Sequence, residues 1–437
     1  MKAFTRLSLA IGLALLPHVV LADTPTPIKP KVMLITMFAP EAQTWIDRLA
    51  LKQEVRVPGL SAEYPVIRCN TEDVCLLVTG MGQTNAAAST LALALSPKFD
   101  LRQSYFLIAG IAGISPKHGT LGTAAWAHYL VEFGTQWELD SRDAPKDWPT
   151  GYIGINTKGP NEKPPLDYKT EVFELNPKLQ AKAFALSQKV ELAESKESSA
   201  WRKHYPAAPA NQPPQVTRCD TLAGNTWFSG TRLSERAEVW TQLLTDNKGE
   251  YCTTQQEDNS TYEALLRASR EGLVDIQRLA VVRAGSDFDR PYPGYSEVDN
   301  LLKYADQGGF VPALENLYRT GNPLVQAILK NWSAWEKGVP EAWRAFTWGG
   351  LACLRRGVSQ PASPLLIQRL RGQARSHNGA ALETGLRPAL DQCGSWLACE
   401  GGGSANFTAT DTPPSRASPL PRWSCARHGT QACTGSL

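Results

Sequence analysis

The sequence predicts an α/β protein with a mixed, mostly parallel central sheet flanked by helices and carrying a polar insertion. Three observations predict it. Short apolar runs of strand length recur: VMLITM at 32–37, VCLLVT at 74–79, SYFLIA at 104–109 and LAVVRA at 279–284. Stretches of helical pattern separate them, and Gly-rich segments close several of them. Apolar runs of this kind, alternating with helices, suit parallel strands covered on both faces.

The elements follow in order. A Pro-rich lead-in, DTPTPIKPK, precedes the first strand. Pro40 and Glu41 open a helix expected to run through Leu51. Segments 66–69 and 74–79 read as paired strands around the turn NTED. Gly80-Met81-Gly82 is a tight turn, and the Ala-rich stretch 85–95 is a helix. The strand at 104–109 ends in GIAGIS, and 121–131 reads as a strand pair. Residues 134–216 are rich in Pro, Lys, Asp and Trp, with one helical stretch near 177–201, and read as an insertion in the core fold. Further strands are expected at 216–223 and 279–284, with an amphipathic helix at 262–272. Three helices, 298–309, 309–320 and 323–337, close the domain near Pro340.

Both ends of the chain differ from this body. Lys2 and Arg6 precede the apolar run 7–16, and Val20-Leu21-Ala22 offers small cleavage-site residues before Asp23. Residues 1–22 therefore read as a signal peptide, too short for a membrane span, and imply a periplasmic or secreted protein. The domain is expected over 23–340, and residues 341–437 read as a low-complexity, disordered tail. After Thr347 the chain has nine Arg and no Lys, a shift that a changed reading frame or a C-terminal fusion would also give.

A net charge of +3 over 437 residues, with no basic stripe, gives nucleic-acid binding no support. Export permits disulfides among Cys69, Cys75, Cys219 and Cys252. Cys69 and Cys75 flank a hairpin turn, and Cys219 with Cys252 is the second pairing expected. No CxxC spacing or paired histidine supports a metal site.

Chemistry can be carried by Gly turns, acids and an aromatic. TGMGQTN at 79–85 lies between a strand and a helix, and AGIAG at 109–113 repeats the arrangement. Backbone amides of Gly80 and Gly82 can approach a ligand there. Neither segment has the glycine pattern of a dinucleotide fingerprint. Glu41, Glu257 with Asp258, and Asp287 each follow an apolar or β-like run. Such acids divide acid, base and hydroxyl-binding roles, although each alone is equally a first-turn helix acid. In AGNTWFSG at 223–230, Trp227 can stack on a heterocycle or simply pack in the core.

The joint order of TGMGQTNAA, AGIAGI, DTLAGNTWFSG, TTQQEDNSTYEAL, VVRAGSDFDRP and NWSAWEKGVP resembles the nucleoside phosphorylase and nucleosidase superfamily. Within it, the nearer resemblance is to the secreted purine nucleoside permease family, over about 31–340. The resemblance implies a nucleoside phosphorylase-like fold and a purine nucleoside as ligand. It implies that Asp287 protonates the purine and that Glu41 activates a water. From the residues themselves, Ser286 is expected to orient the Asp287 carboxylate or to cap the next segment, and Asp289 with Arg290 to form a structural turn. Glu257 would grip the ribose hydroxyls, with Gln256 where Met is usual. Trp227 would stack on the base, with Asn225 in place of an Asp. Ile111 stands where the superfamily often has Ser or Cys, and only Arg68 and Arg102 lie on segments flanking the Gly turns. That weakens phosphorolysis, in which phosphate would be the co-substrate, relative to hydrolysis. No other cofactor is expected. The alternative reading is a non-catalytic capture component that passes nucleosides to a membrane transport partner. A homo-oligomer is expected from the superfamily's habit.

Overall fold

The computed structural model describes residues 26–341; the signal peptide read at 1–22 and the tail beyond Glu341 lie outside the described residues. The chain opens with β1 (Val32–Thr36), α1 (Ala39–Arg48), β2 (Gln53–Arg56), β3 (Val66–Cys69), β4 (Val74–Val78) and α2 (Gln83–Ala94). Next come β5 (Tyr105–Ile114), β6 (Ala124–Trp126), β7 (Tyr129–Glu132), β8 (Trp137–Glu138), β9 (Tyr152–Ile153) and β10 (Val172–Glu174). Helices α3 (Pro177–Ser187) and α4 (Lys196–Arg202) follow, then β11 (Val216–Arg218), β12 (Asp220–Ala223) and α5 (Thr231–Leu244). The chain continues with β13 (Tyr251–Gln255), α6 (Asp258–Arg270), β14 (Leu279–Phe288) and α7 (Glu297–Leu302). A 3-10 turn at Tyr304–Gln307 leads into α8 (Phe310–Lys330) and the short α9 (Trp332–Trp335).

One large sheet has the strand path β10-β7-β12-β13-β5-β1-β4-β3-β2, with β14, β6 and β11 branching from β5. Six of its pairings are parallel and five antiparallel, the mixed sheet expected from the sequence. β5 is its hub. Its first half pairs with β1, its end pairs with β13, and β14 runs beside its whole length. β1 and β4 are buried at every position, because helices cover both faces. Leu34, Leu76 and Leu107 join Trp45, Leu317 and Val325 on one side. Met33, Ile35, Leu77 and Ile108 join Leu265 and Val281 on the other.

The structure corrects several expected boundaries. AGIAG is not a turn: β5 continues through it to Ile114. Its glycines serve close approach instead. A Cβ on Gly110 would lie 1.9 Å from Met37 Cε and 2.5 Å from Arg283 Nη1. β14 likewise runs past Ala284 to Phe288, with a register shift between Gly285 and Asp287 that marks a bulge at Ser286. α1 stops at Arg48 rather than Leu51, because Ala50 takes a left-handed conformation with φ of 49°. The helices expected on either side of Pro323 are one helix, α8. Its buried face of Leu317, Leu324, Val325 and Ile328 offsets the hydrogen bond that proline removes.

The stretch expected as one strand at 216–223 is two, β11 and β12, which separate at Cys219 to pair with different neighbours. Residues 134–216 are more integrated than an appended insertion. β10 adds an edge strand beside β7, and the Trp126 indole donates to Ser187 Oγ of α3 at 2.9 Å. β2, an exposed edge strand, and α5 carried no strong sequence pattern and were not expected. Both expected disulfides, Cys69–Cys75 and Cys219–Cys252, are present.

Candidate active site

A cavity of about 670 Å³ opens at the ends of β1, β5, β12, β13 and β14. That volume suits a small-molecule site. Glu41, Glu257 and Asp287 all line it, with Arg283 and Ser286. Three acids from distant parts of the chain therefore meet in one place, as the sequence predicts.

Glu41 arrives in the first turn of α1, directly after β1. Its carboxylate accepts hydrogen bonds from Met37 N–H at 2.7 Å and from Ile111 N–H at 2.8 Å. Burial pushes its carboxyl up to about 8. The Arg283 charge and the two amides oppose that rise, and Glu257 adds to it.

Asp287 is carried inside β14, beside Gly113 of β5. A Cβ on Gly113 would lie 3.6 Å from Asp287 Oδ2, so the missing side chain opens the approach to the carboxylate. Ser286 Oγ donates to Asp287 Oδ1 at 2.7 Å, the orienting contact expected of it. Burial pushes the Asp287 carboxyl up to about 6, the Ser286 hydroxyl opposes this, and the Asp289 charge adds to it. Glu41 thus meets β5 at the Ile111 amide, and Asp287 stands beside Gly113, two residues further along the same strand. Asp289 does not line this cavity. It is buried against Arg290 and the Tyr251 hydroxyl, the structural role expected for it.

Glu257 precedes α6 at the end of β13. It accepts from Gly82 N–H at 2.9 Å and from Arg283 Nη2 at 3.2 Å. Arg283 was not singled out from the sequence, and it corrects the expectation that no arginine stands at the second Gly segment. Its side chain packs against Gly110, within reach of the Ile111 carbonyl at 3.0 Å. The signal was available: a buried arginine interrupts the apolar strand LAVVRAG. Its fork is taken by Asp258, Glu257 and Gln255. Burial acts to lower its pKa, but the Asp258 and Glu257 carboxylates outweigh that and leave it firmly cationic.

Gly80, Gly82 and Asn225 are not among the residues that line the cavity. Of the two glycine amides expected to meet a ligand, that of Gly82 is already engaged. Gly82 N–H donates to Glu257, and Gln83 N–H donates to Asn225 Oδ1 at 2.9 Å. Asn225 thereby caps α2, whose own cap residue is a glycine with no side chain.

The mouth is aromatic and apolar. Trp227 is 49% exposed, so it is no core residue, and it packs on Tyr304 at 4.7 Å between ring centroids. Phe38, Phe310 and Met81 complete the rim. Phe38, Tyr304 and Phe310 had no distinguishing sequence pattern, because only folding brings the C-terminal helices over the strand ends.

A family model described as purine nucleoside permease (NUP) matches residues 29–340. The chain belongs to the purine nucleoside permease family. A Candida albicans protein named purine nucleoside permease is 40% identical over 309 residues, covering 70% of this chain and 76% of its own. A Schizosaccharomyces pombe protein with the same family name is 39% identical over 320 residues, covering 70% and 91%. Among solved structures, the chain is similar to futalosine hydrolase of Helicobacter pylori, with TM-score 0.40, 13% identity, and coverage of 67% of this chain and 97% of that one. It is also similar to a 5'-methylthioadenosine/S-adenosylhomocysteine nucleosidase of the same organism, with TM-score 0.41, 14% identity, and coverage of 69% and 98%. The permease family match spans the whole cavity, from Met37 to Phe310.

Proposed function

We propose that this permease-family chain binds a purine nucleoside in the cavity and cleaves its N-glycosidic bond by hydrolysis. One observation carries the reading: two buried acids, each with its ionisation moved toward neutrality, face one strand two residues apart beneath an aromatic mouth. Groups poised near neutral pH suit general acid and base work.

The steps follow from the geometry. Trp227, with Tyr304, holds the purine face. Glu257 Oε2 already accepts from Arg283 Nη2 and from Gln256 N–H, and Oε1 accepts from Gly82 N–H, so the remaining lone pair on Oε1 accepts a ribose hydroxyl. As the C–N bond breaks, Asp287 gives its proton to the purine. Water adds to the ribosyl carbon and passes a proton to Glu41. The surrounding carboxylates stabilise the positive charge that develops on the sugar. Phosphate is disfavoured as the attacking group. Among the residues lining the cavity Arg283 is the cation, and its fork is already committed to Asp258, Glu257 and Gln255, which leaves no free cation there to hold a phosphate.

The family's name favours a second reading, in which the chain captures nucleosides and hands them to a membrane transport partner. Among the described residues, no helix is long and apolar enough to cross a membrane. In either reading we place the protein in the periplasm or outside the cell, on the strength of the leader.

Release of base by the wild type separates the two readings, and Asp287→Asn tests the acid. Under the first, release of hypoxanthine from inosine falls by about 10²–10⁴-fold while inosine affinity stays close to that of the wild type. Full activity in that variant would remove Asp287 as the acid.

A further inference from the structure

β14 has an unusual edge just past Asp287. Up to Ala284 its outer side is paired by β6, and Gly285 still exchanges backbone hydrogen bonds with Thr123 and Gly122. Beyond the bulge at Ser286, no strand among the described residues stands on that side. On the inner side Asp289 N–H donates to Ile114 carbonyl at 3.0 Å, so pairing with β5 persists. The backbone of Phe288 therefore points its N–H and C=O outward, into the protein, with no strand to receive them.

Two side-chain amides take the place of the strand. Phe288 N–H donates to Gln307 Oε1 at 2.7 Å. Gln307 Nε2 donates to Asn300 Oδ1 at 3.2 Å. Asn300 Nδ2 then donates to the Phe288 carbonyl at 3.1 Å and to Ser229 Oγ at 2.8 Å. The ring of contacts is closed and fully buried: Gln307 and Phe288 are 0% exposed, and Asn300 is 1% exposed. Buried amides that satisfy a backbone unit on both sides are costly to lose, since each leaves an unpaired polar group.

The two amides sit at opposite ends of one segment. Asn300 is in α7, and Gln307 ends the 3-10 turn that carries Tyr304 and Ala305 over the cavity. Gly308 and Gly309 follow, and both need the absence of a side chain. Gly308 has φ of 73°, and a Cβ on Gly309 would lie 2.3 Å from the Ser286 carbonyl oxygen. The cover of the cavity and the strand that presents Asp287 are thus joined at a single residue, Phe288.

We propose that Gln307 and Asn300 are positioning residues, which hold Asp287 at its place in the cavity through the backbone of Phe288. The proposal rests on the reading of Asp287 as the acid. Neither amide touches the ligand; the pair sets where the Asp287 carboxylate stands and ties it to the Tyr304 cover.

Variants of the full-length protein test this. Gln307→Leu removes the acceptor for Phe288 N–H, Gln307→Glu keeps an acceptor there, and Asn300→Ala frees the carbonyl from the other side. With inosine, Gln307→Leu and Asn300→Ala are expected to lower kcat by about 100-fold with KM barely moved, as for a misplaced catalytic group. Gln307→Glu is expected to recover most of the loss. Hydrogen exchange at the Phe288 amide reports the latch directly: protection is lost in Gln307→Leu while Val281 and Val282 stay protected. Wild-type kcat in Gln307→Leu, or a change in KM alone, would overturn the proposal. If the wild type releases no base, the cleavage reading fails by itself. The latch then stands or falls on whether Phe288 loses its protection in Gln307→Leu.

Discussion

Glu41 and Asp287 rest in the opposite protonation pattern from the one that cleavage needs. With Glu41 near 8 and Asp287 near 6, neutral pH leaves the proton mainly on Glu41. The reactive form carries it on Asp287, and a gap of two pH units makes that form about a hundredfold rarer. Nucleoside binding can redress this, because a ribosyl centre gaining positive charge favours an ionised Glu41. The free protein is expected to show a bell-shaped kcat/KM profile with limbs near pH 6 and 8. A profile that rises or falls in one direction only across that range would contradict the pairing. Swapped roles for the two acids would give the same bell, so the substitutions, not the profile, assign them.

At the scale of elements, the site is a meeting of strand ends, and the sequence shows the strands better than the meeting. Glu41, Asp287 and Glu257 were legible because each follows an apolar or β-like run, where ligands of α/β folds collect. AGIAG read as a turn because glycines usually end strands. Here they instead make room for Met37 and Arg283. Pro323 read as a helix boundary because proline removes a hydrogen bond, yet burial of α8 prevails. Asn225 was legible as a site residue but acts on α2, a role visible only once folding brings the residue after β12 to the start of α2. Arg283 ties β14 to α6 and β5 through Asp258, Glu257 and the Ile111 carbonyl. Arg283→Met is therefore expected to destabilise the protein by about 3–5 kcal/mol, because two carboxylates lose their buried partner. Urea unfolding checks this, and a change near zero would mean that the carboxylates find other partners.

At the scale of the whole molecule, the same acids make folding depend on pH. Both folded pKa values lie above the ordinary ones, about 8 against 4.5 for Glu41 and about 6 against 3.8 for Asp287. A raised carboxyl favours the folded state at low pH. The contribution is full below the unfolded values and is lost as pH rises through about 6 and then about 8. The double variant Glu41→Gln, Asp287→Asn is expected to flatten this loss, by on the order of a few kcal/mol between about pH 4 and 9. An unchanged slope in chemical denaturation would show that neither acid is held neutral by the fold. The central claim is hydrolytic cleavage of a bound purine nucleoside, and the release of free base is its most direct measure. The protein is incubated with inosine, adenosine and guanosine, with and without phosphate. Free base is expected at equal rates in both conditions. Release only with phosphate, or tight binding with no release, would contradict the account.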